Sequence, residues 1–171
     1  GCVNALLLKL GAIADPIPWL TSDQTFLNCV IILAVWSGLA FSTLVFVAGL
    51  QQVPVALFEA AALDGASPLK RFTKIAVPGI RPQVFFISVV GIIGAFQVFE
   101  TVYVLANKSG NAGARFGVND SALTMVPLIY HTGFEKFEMG KASAIAYVLF
   151  VFILIVTALQ FAIQKRTSTA E

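Results

Sequence analysis

The sequence predicts an all-α fold, a polytopic bundle of helices in a membrane, and three observations support that class. Hydrophobic residues make up 58% of the 171 residues, charged residues make up 12%, and the mean hydropathy is +0.87. One soluble core of this size could not hide that much apolar surface, so lipid is expected to solvate part of it. Three apolar runs are long enough to cross a bilayer, and a polar segment rich in proline separates the first two.

The first predicted span covers residues 25–50, which contain no charged residue. A helix of about 20 residues crosses a hydrocarbon core of about 30 Å, so this run is long enough. Its small and hydroxyl residues, among them Ser37, Gly38 and Ser42, allow a neighbouring helix to approach closely. We therefore expect a spanning helix that packs against another helix.

Two further spans are predicted over residues 83–106 and 142–164. The run 83–106 has no charged residue before Glu100. The run 142–164 has no charged residue, and two basic residues follow it, as is typical of a membrane boundary. The run 122–130 is too short to cross a bilayer and contains a proline, so a half-helix or an interfacial segment is expected there. The whole chain, residues 1–171, is thus predicted to be a single transmembrane domain.

Polar segments at residues 1–24, 51–82 and 107–141 precede or connect these spans. Alternation of sides puts the middle loop, residues 51–82, and the C-terminal tail opposite the other two segments. The side of the middle loop holds six Lys and Arg residues, and the other side holds five. Because basic loops tend to stay in the cytoplasm, this small excess favours a cytoplasmic middle loop and extracytoplasmic loops at 1–24 and 107–141.

Glycine and proline divide the middle loop into two short helices. Pro54 suits the start of the first helix, and Gly65 suits the left-handed backbone position that ends it. Ser67 followed by Pro68 is typical of an N-cap and a first turn, which predicts a second helix up to Pro78. Each helix is shorter than the ~12 residues that are stable alone in water, so both need packing partners.

Periodicity alone leaves two interpretations of the middle loop open, an ordinary solvated pair of helices and a surface that docks a partner. The residue spacing favours the second. Glu-Ala-Ala, three residues, Gly, nine residues and Ile-x-Val-Pro resembles the cytoplasmic EAA loop of ABC-importer permease subunits, where Leu usually precedes the final Pro. The resemblance implies coupling to an ATPase for the matching residues, which are Glu59, Ala60, Ala61, Asp64, Gly65, Ile75 and Pro78.

Similarity to the same family extends over most of the chain. The stretches PIPWLTSD, AGLQQVPVALFEAA, FQVFETVYVL, LIYHTGF and GKASAIAYVLF look like maltose-type and glycerol-phosphate-type sugar permeases. The resemblance implies the transmembrane domain of a type I ABC importer, a binding-protein-dependent inner-membrane component. Such permeases usually have more spans than the ones predicted here, so the chain is expected to be the C-terminal portion of a longer protein.

The resemblance also implies a function and a set of partners. The chain would be the permease subunit of an ATP-driven importer of carbohydrate or polyol phosphate, in the plasma (inner) membrane of a bacterium or archaeon. Expected partners are a cytoplasmic ATP-binding subunit dimer, a second permease subunit, an extracytoplasmic solute-binding protein and membrane lipid. The sequence has no Gly-x-x-x-x-Gly-Lys-Ser/Thr loop, so ATP and Mg are expected on the ATPase subunits, and no cofactor is expected on this chain.

Glu100 is the one acidic residue inside a predicted span, and two interpretations of it stay open. It lies 19 residues beyond Arg81, roughly 28 Å along a helix, so it could be an interfacial glutamate near the far headgroups. Alternatively, it lines a pathway for a hydroxylated solute, together with Gln97 one turn deeper and Tyr103 on the same face.

Two other functions remain open beside transport by a sugar permease. One alternative is a membrane anchor or signalling subunit whose middle loop recruits a partner, and another is a permease for a non-sugar solute. Polar residues within spans, above all Gln97, argue against an inert anchor. The subunit is not expected to be an enzyme or to bind a metal, because His131 is its only histidine and no second ligand or acid-base partner stands at a suitable spacing. A net charge of +2 gives no reason to expect a nucleic-acid partner.

Overall fold

The computed structural model describes residues 1–108 and 116–169, and within these ranges the chain is helical with no β-strand. Two π-helical turns cover Phe72–Ala76 and His131–Glu135, and a short 3-10 turn lies at Val118–Asp120. Part of the predicted 107–141 loop, residues 109–115, lies outside the described residues. The α-helices are α1 (Cys2–Lys9), α2 (Asp23–Gln51), α3 (Val55–Leu63), α4 (Pro68–Arg71), α5 (Val77–Gly79), α6 (Arg81–Phe96), α7 (Glu100–Lys108), α8 (Met125–Tyr130) and α9 (Met139–Thr169).

Two of the described helices are long and apolar enough to cross a membrane. They are Asp23–Gln51 and Met139–Lys165, and they contain the predicted spans 25–50 and 142–164. With 29 residues in α2 and 31 in α9, both helices exceed a hydrocarbon core of about 30 Å. Their side chains are exposed over most of their length, which is typical of apolar helices that lipid or further helices cover.

The structure breaks the helix that the sequence predicts over residues 83–106. α6 ends at Phe96, residues 97–99 are not helical, and the chain resumes as α7 at Glu100. At 16 residues, or about 24 Å, α6 alone is shorter than a hydrocarbon core. A third crossing exists among the described helices only if Pro68–Gly79 and Arg81–Phe96, which are bent by 62° from each other, count as one span.

Contacts from a distant part of the chain hold this break in place. The Thr124 hydroxyl donates a hydrogen bond to the carbonyl oxygen of Val98 at 3.5 Å, from 26 residues further along the chain. The ring of Phe99 packs against Tyr130 with ring centroids 5.1 Å apart. A carbonyl group that leaves a helix needs another donor, and these contacts supply it together with a packing surface. Neither partner lies within the apolar run itself, so the run alone predicted a continuous helix.

The buried core of the described residues lies beyond this break. Phe26 and Val30 of α2 pack there against Val102 of α7 and against Phe116. Gly117 has a φ of +88°, and a Cβ at this position would stand 2.7 Å from the Phe26 ring. The close approach and the positive φ both require glycine. This cluster fixes α2, α7 and the chain around residue 117 to one another.

Aromatic pairs hold α6 between its two long neighbours. Phe86 of α6 lies beside Phe41 of α2, with ring centroids 6.5 Å apart. Phe85 meets Phe161 of α9 edge to face at 4.9 Å. Such pairs favour tilted and edge-to-face geometries, as seen here. The end of α6 nearest the middle loop is therefore anchored on both sides.

Candidate functional site

The first helix of the middle loop, α3, ends in a defined turn. Gly65 has a φ of +73°. Its N–H donates to the carbonyl of Ala62 at 3.0 Å, and the N–H of Ala66 donates to the carbonyl of Ala61 at 2.9 Å. This pair of bonds is a Schellman motif, so the predicted role of Gly65 at the helix end is confirmed. α3 is therefore presented on a turn of fixed geometry.

The second helical segment, residues 68–79, departs in one detail from the sequence prediction. Its start agrees, because the Ser67 hydroxyl accepts a hydrogen bond from the Lys70 N–H at 3.4 Å and Pro68 is the first helical residue. The predicted stop at Pro78 comes one residue later, at Gly79. The π-helical turn shifts the hydrogen-bond register, which puts Pro78 in the first turn of α5, where a missing N–H leaves no bond unmade.

The predicted coupling residues fall into two groups. The first group is half-buried and consists of Ala61 on α3 together with Ile75 and Pro78 on the second helical segment. The others lie on α3 or on the turn after it with their surfaces exposed, and they are Glu59, Ala60, Asp64 and Gly65. The second group is exposed to a possible partner. The first group is partly covered by the chain itself.

Sequence reasoning missed one exposed residue, Leu63. It is 90% exposed and lies one helical turn after Glu59, on the same face of α3. Leu69, just beyond the turn, is 72% exposed. The signal in the sequence was an apolar side chain directly before the Asp64-Gly65 turn, where a solvated helix usually carries a polar one. The loop therefore presents a carboxylate and leucine side chains together.

A cleft of about 530 Å³ lies between the two helical parts of the middle loop. At its base, Gly79 touches the buried Val53, since a Cβ on Gly79 would stand 2.6 Å from Val53 Cγ2. We call it the loop cleft. Its lining residues are Gln52, Val53, Pro54, Leu57, Lys74, Ile75, Pro78 and Gly79.

The three predicted pathway residues surround the break in the second span. Gln97 and Glu100 are exposed, with Gln97 capping the end of α6 and Glu100 starting α7. The break separates these two residues, so they do not share one continuous helical face as the sequence predicted. Tyr103 is half-buried, and its ring stacks on Phe99 with centroids 5.4 Å apart and meets Tyr130 at 5.7 Å.

The segment between α8 and α9 carries a histidine–carboxylate contact and a strained residue. His131 Nδ1 lies within hydrogen-bond distance of Glu135 Oε2, at 2.7 Å, so the expectation that no acid-base partner stands at a suitable spacing from His131 was wrong for this carboxylate. Phe137 has a φ of +56° and is 79% exposed, although a bulky residue rarely adopts a left-handed conformation. Glu138 follows it and accepts a hydrogen bond from Lys141 Nζ at 2.9 Å. That hydrogen bond holds the pKa of the Glu138 carboxyl below its usual value.

Metal ligation has no candidate group in the described ranges. No cluster of three or more His, Cys, Asp or Glu side chains there is arranged to hold a metal ion.

A family model described as "Binding-protein-dependent transport system inner membrane component" matches residues 5–169. The chain belongs to this family. The resemblance predicted from the EAA spacing is thereby confirmed, and the all-α membrane fold with it.

Solved structures agree on the fold of this inner membrane component. A bacterial ABC transporter involved in the import of the acidic polysaccharide alginate superposes with a TM-score of 0.81 at 23% identity, covering 97% of this chain and 55% of that one. The bacterial alginate ABC transporter in complex with an alginate pentasaccharide-bound periplasmic protein gives a TM-score of 0.82 at 23% identity, over 98% of this chain and 55% of that one. At this identity the likeness concerns the fold alone.

Curated relatives of this inner membrane component are permease proteins. The arabinooligosaccharides transport system permease protein AraP of Bacillus subtilis is 38% identical over 156 residues, 90% of this chain and 46% of the relative. The sn-glycerol-3-phosphate permease protein UgpA of Agrobacterium fabrum is 34% identical, over 97% of this chain and 54% of the relative. The lactose permease protein LacF of Rhizobium radiobacter is 31% identical, over 94% of this chain and 52% of the relative. The chain spans about half the length of these curated relatives.

Proposed function

We propose that this chain is the permease subunit of an ATP-driven importer of carbohydrate or polyol phosphate, a multi-pass protein of a bacterial or archaeal inner membrane. The family membership and the cargoes named for its relatives support the class of transporter. The structural observation that carries the proposal is the exposed face of α3, with Glu59 and Leu63 held beside a rigid glycine turn.

In this proposal the α3 face docks on a cytoplasmic ATPase subunit. A leucine that is 90% exposed gains free energy when a partner covers it, at about 25 cal/mol per Å² of apolar surface buried. Glu59 adds a carboxylate for a basic group on the partner. One short helix contributes less than the usual interface of about 1,200–2,000 Å², which favours a second permease subunit with a loop of its own on an ATPase dimer.

The interior of the loop then carries the movement to the membrane helices. Val53 follows α2, Gly79 precedes α6, and the two residues touch. Because the loop is closed at its base, a push on α3 moves α2 and α6 as one body rather than unfolding the loop. Closure of the ATPase dimer would thus favour one of two orientations of the spans, which is alternating access by rigid-body movement.

The break at residues 97–99 supports a solute pathway at that point. Non-helical backbone at membrane depth is tolerated where it is buried in protein or lines a water-filled cavity, and transporters place binding sites at such broken helices. Gln97 and Glu100 are exposed polar side chains at the two edges of the break, and Tyr103 lies just beyond it. These three residues are proposed to contact the hydroxyl groups of the solute. An anchor without transport would need no such break.

ATP and Mg are proposed to bind the partner ATPase, because the chain lacks a phosphate-binding loop motif. An extracytoplasmic solute-binding protein is proposed to dock on the side opposite the middle loop. Phe137, exposed and held in a left-handed conformation before α9, offers that partner an apolar contact.

The proposal is tested by reconstituting the permease with its ATPase subunits and binding protein in proteoliposomes. Glu59→Gln and Gly65→Pro are expected to lower solute uptake at least about tenfold while ATP hydrolysis persists, because the first removes a docking charge and the second is incompatible with φ +73°. Glu59→Asp is the matched control for charge, since it keeps a carboxylate at the same exposed position of α3, and it is expected to retain most of the uptake. Wild-type uptake by the Gly65→Pro variant would contradict the proposal.

A further inference from the structure

The part of the middle loop nearest the second span carries charge of one sign only. Residues 65–99 contain four basic residues and no acidic one. Lys70 and Lys74 are exposed and lie one helical turn apart, so their like charges repel. The ion pairs of the described residues give neither lysine a carboxylate partner. An anion bound at this face would relieve the repulsion.

The direction of residues 68–79 keeps these charges close to the membrane. This segment is bent by 62° from Arg81–Phe96. If α6 crosses the bilayer within the usual tilt of about 20°, the segment runs between about 40° and 80° from the membrane normal. Its 12 residues extend about 18 Å. Lys70 and Lys74 therefore lie within reach of the headgroups that surround the end of α6.

The loop cleft supplies the second half of a lipid site. Lys74 lines it together with apolar side chains, among them Val53, Leu57 and Ile75. The cleft holds about 530 Å³ and lies where the chain leaves α2 and returns to α6. A cation above apolar walls at a membrane boundary matches the phosphate, glycerol and first methylene groups of a phospholipid. A free phosphate would occupy the cation and leave the apolar walls without a partner.

We propose that an anionic phospholipid binds the loop cleft, with its phosphate at Lys74 and Lys70 and its glycerol region against Val53 and Leu57. Juxtamembrane basic clusters attract anionic headgroups in this way. The site uses a different face from Glu59 and Leu63, so it does not depend on the docking of an ATPase. It requires only that α2 and α6 reach the membrane surface at the loop.

The test uses the protein purified from membranes in detergent without any ATPase subunit. Short-chain phosphatidylglycerol, phosphatidylcholine of the same chain length and inorganic phosphate are titrated separately, and bound molecules are counted by native mass spectrometry. Phosphatidylglycerol is expected to bind at least about fivefold more tightly than phosphatidylcholine, since each lysine near an anionic headgroup contributes a factor of about five. Inorganic phosphate is expected not to displace it at equal concentration.

Three variants decide whether the loop is the site. Lys70→Gln with Lys74→Gln is expected to abolish the preference for phosphatidylglycerol. Lys9→Gln removes one exposed charge at the end of α1, and this variant is expected to keep the preference for phosphatidylglycerol. Lys70→Arg with Lys74→Arg keeps both charges and the preference, which separates loss of charge from loss of folding.

Several results would overturn the lipid site. Equal binding of the two lipids by the wild-type protein would do so, as would an unchanged preference in the double glutamine variant or a lost preference in the double arginine variant. Displacement of phosphatidylglycerol by inorganic phosphate would show that Lys70 and Lys74 bind a free anion rather than a lipid. Failure of ATPase coupling in the proteoliposome experiment would leave these outcomes unaffected, because no ATPase is present here.

Discussion

Val53 packs directly against Gly79, and a Cβ on that glycine would stand 2.6 Å from Val53 Cγ2. Val53 follows the cap of α2, and Gly79 is the last residue of α5 before α6 begins. The two ends of the middle loop are therefore in contact, although 26 residues of sequence separate them. This contact closes the loop into one body, and its loss should affect both stability and coupling.

Gly79→Ala is expected to open the base of the loop and to lower the free energy of unfolding by about 1–3 kcal/mol, because added volume in a tight contact forces the backbone to shift. Valine cannot easily turn away, since its branched side chain is restricted in χ1. Thermal unfolding of the purified protein measures the loss. In proteoliposomes that contain the ATPase subunits, ATP hydrolysis by those subunits is expected to continue while solute uptake through the same variant is reduced.

Gly91→Ala is the matched control for this substitution. Gly91 lies inside α6, and a Cβ there would meet nothing within 4 Å. The thermal unfolding midpoint of the Gly91→Ala variant should equal that of the wild type or exceed it slightly, because alanine favours a helix. Adding Val53→Ala to Gly79→Ala should restore most of the stability. Equal effects of Gly79→Ala and Gly91→Ala would show that the contact with Val53 is unimportant.

Tyr130→Ala is expected to loosen the break in the second span. The Tyr130 ring contacts Phe99 at 5.1 Å, Tyr103 at 5.7 Å and Phe134 at 5.4 Å, measured between centroids. Each aromatic pair contributes about 0.5–1.5 kcal/mol beyond its buried area, so truncation should lower the unfolding free energy by more than about 2 kcal/mol. Hydrogen exchange of the α7 amides should speed up. Tyr130→Phe keeps the three ring contacts and should lose less stability and less α7 protection than the alanine variant. Protection of α7 unchanged by the alanine would contradict the prediction.

The middle loop could be predicted from its sequence because local residues determine it. Gly65 ends α3 through its own φ, and Ser67 with Pro68 starts the next helix through a side-chain cap and a fixed φ. Each of these effects acts within a few residues of the amino acid that causes it. The motif spacing was readable for the same reason, since it lies within one contiguous loop.

The break at residues 97–99 could not be predicted in that way. The residues that stabilise it, Thr124 and Tyr130, lie beyond the apolar run, and no local proline marks the end of α6. The exposure of Leu63 was missed because an apolar residue in a short helix is usually assigned to its packed face, although its position directly before the Asp64-Gly65 turn was a signal. The break depends on tertiary contacts, which a periodicity argument does not contain.

Gln97→Leu tests whether the break lines the solute pathway. A lost hydrogen bond to a solute hydroxyl contributes about 0.5–1.5 kcal/mol, so the KM for uptake should rise about 2- to 12-fold. Ser88→Ala, in the helix that Gln97 caps, removes only a hydroxyl that donates to the Val84 carbonyl of its own helix, and should leave uptake unchanged. The KM of the Gln97→Asn variant should fall between that of the wild type and that of the leucine variant. Unchanged affinity and rate for the leucine variant would remove Gln97 from the pathway.

Phe137 offers a test in which stability and docking should change in opposite directions. Its φ of +56° costs a residue with a Cβ about 1–2 kcal/mol, which glycine does not incur. Phe137→Gly should therefore fold at least as stably as the wild type, despite the flexibility that glycine adds to the unfolded chain. The same variant should bind the solute-binding protein at least about tenfold more weakly, because it removes the exposed aromatic side chain that is proposed to contact this partner. Phe137→Tyr keeps the anchor and should keep the affinity. Weaker binding together with a lower unfolding midpoint would point instead to a structural role for the ring, whereas unchanged binding by Phe137→Gly would exclude Phe137 from the docking surface.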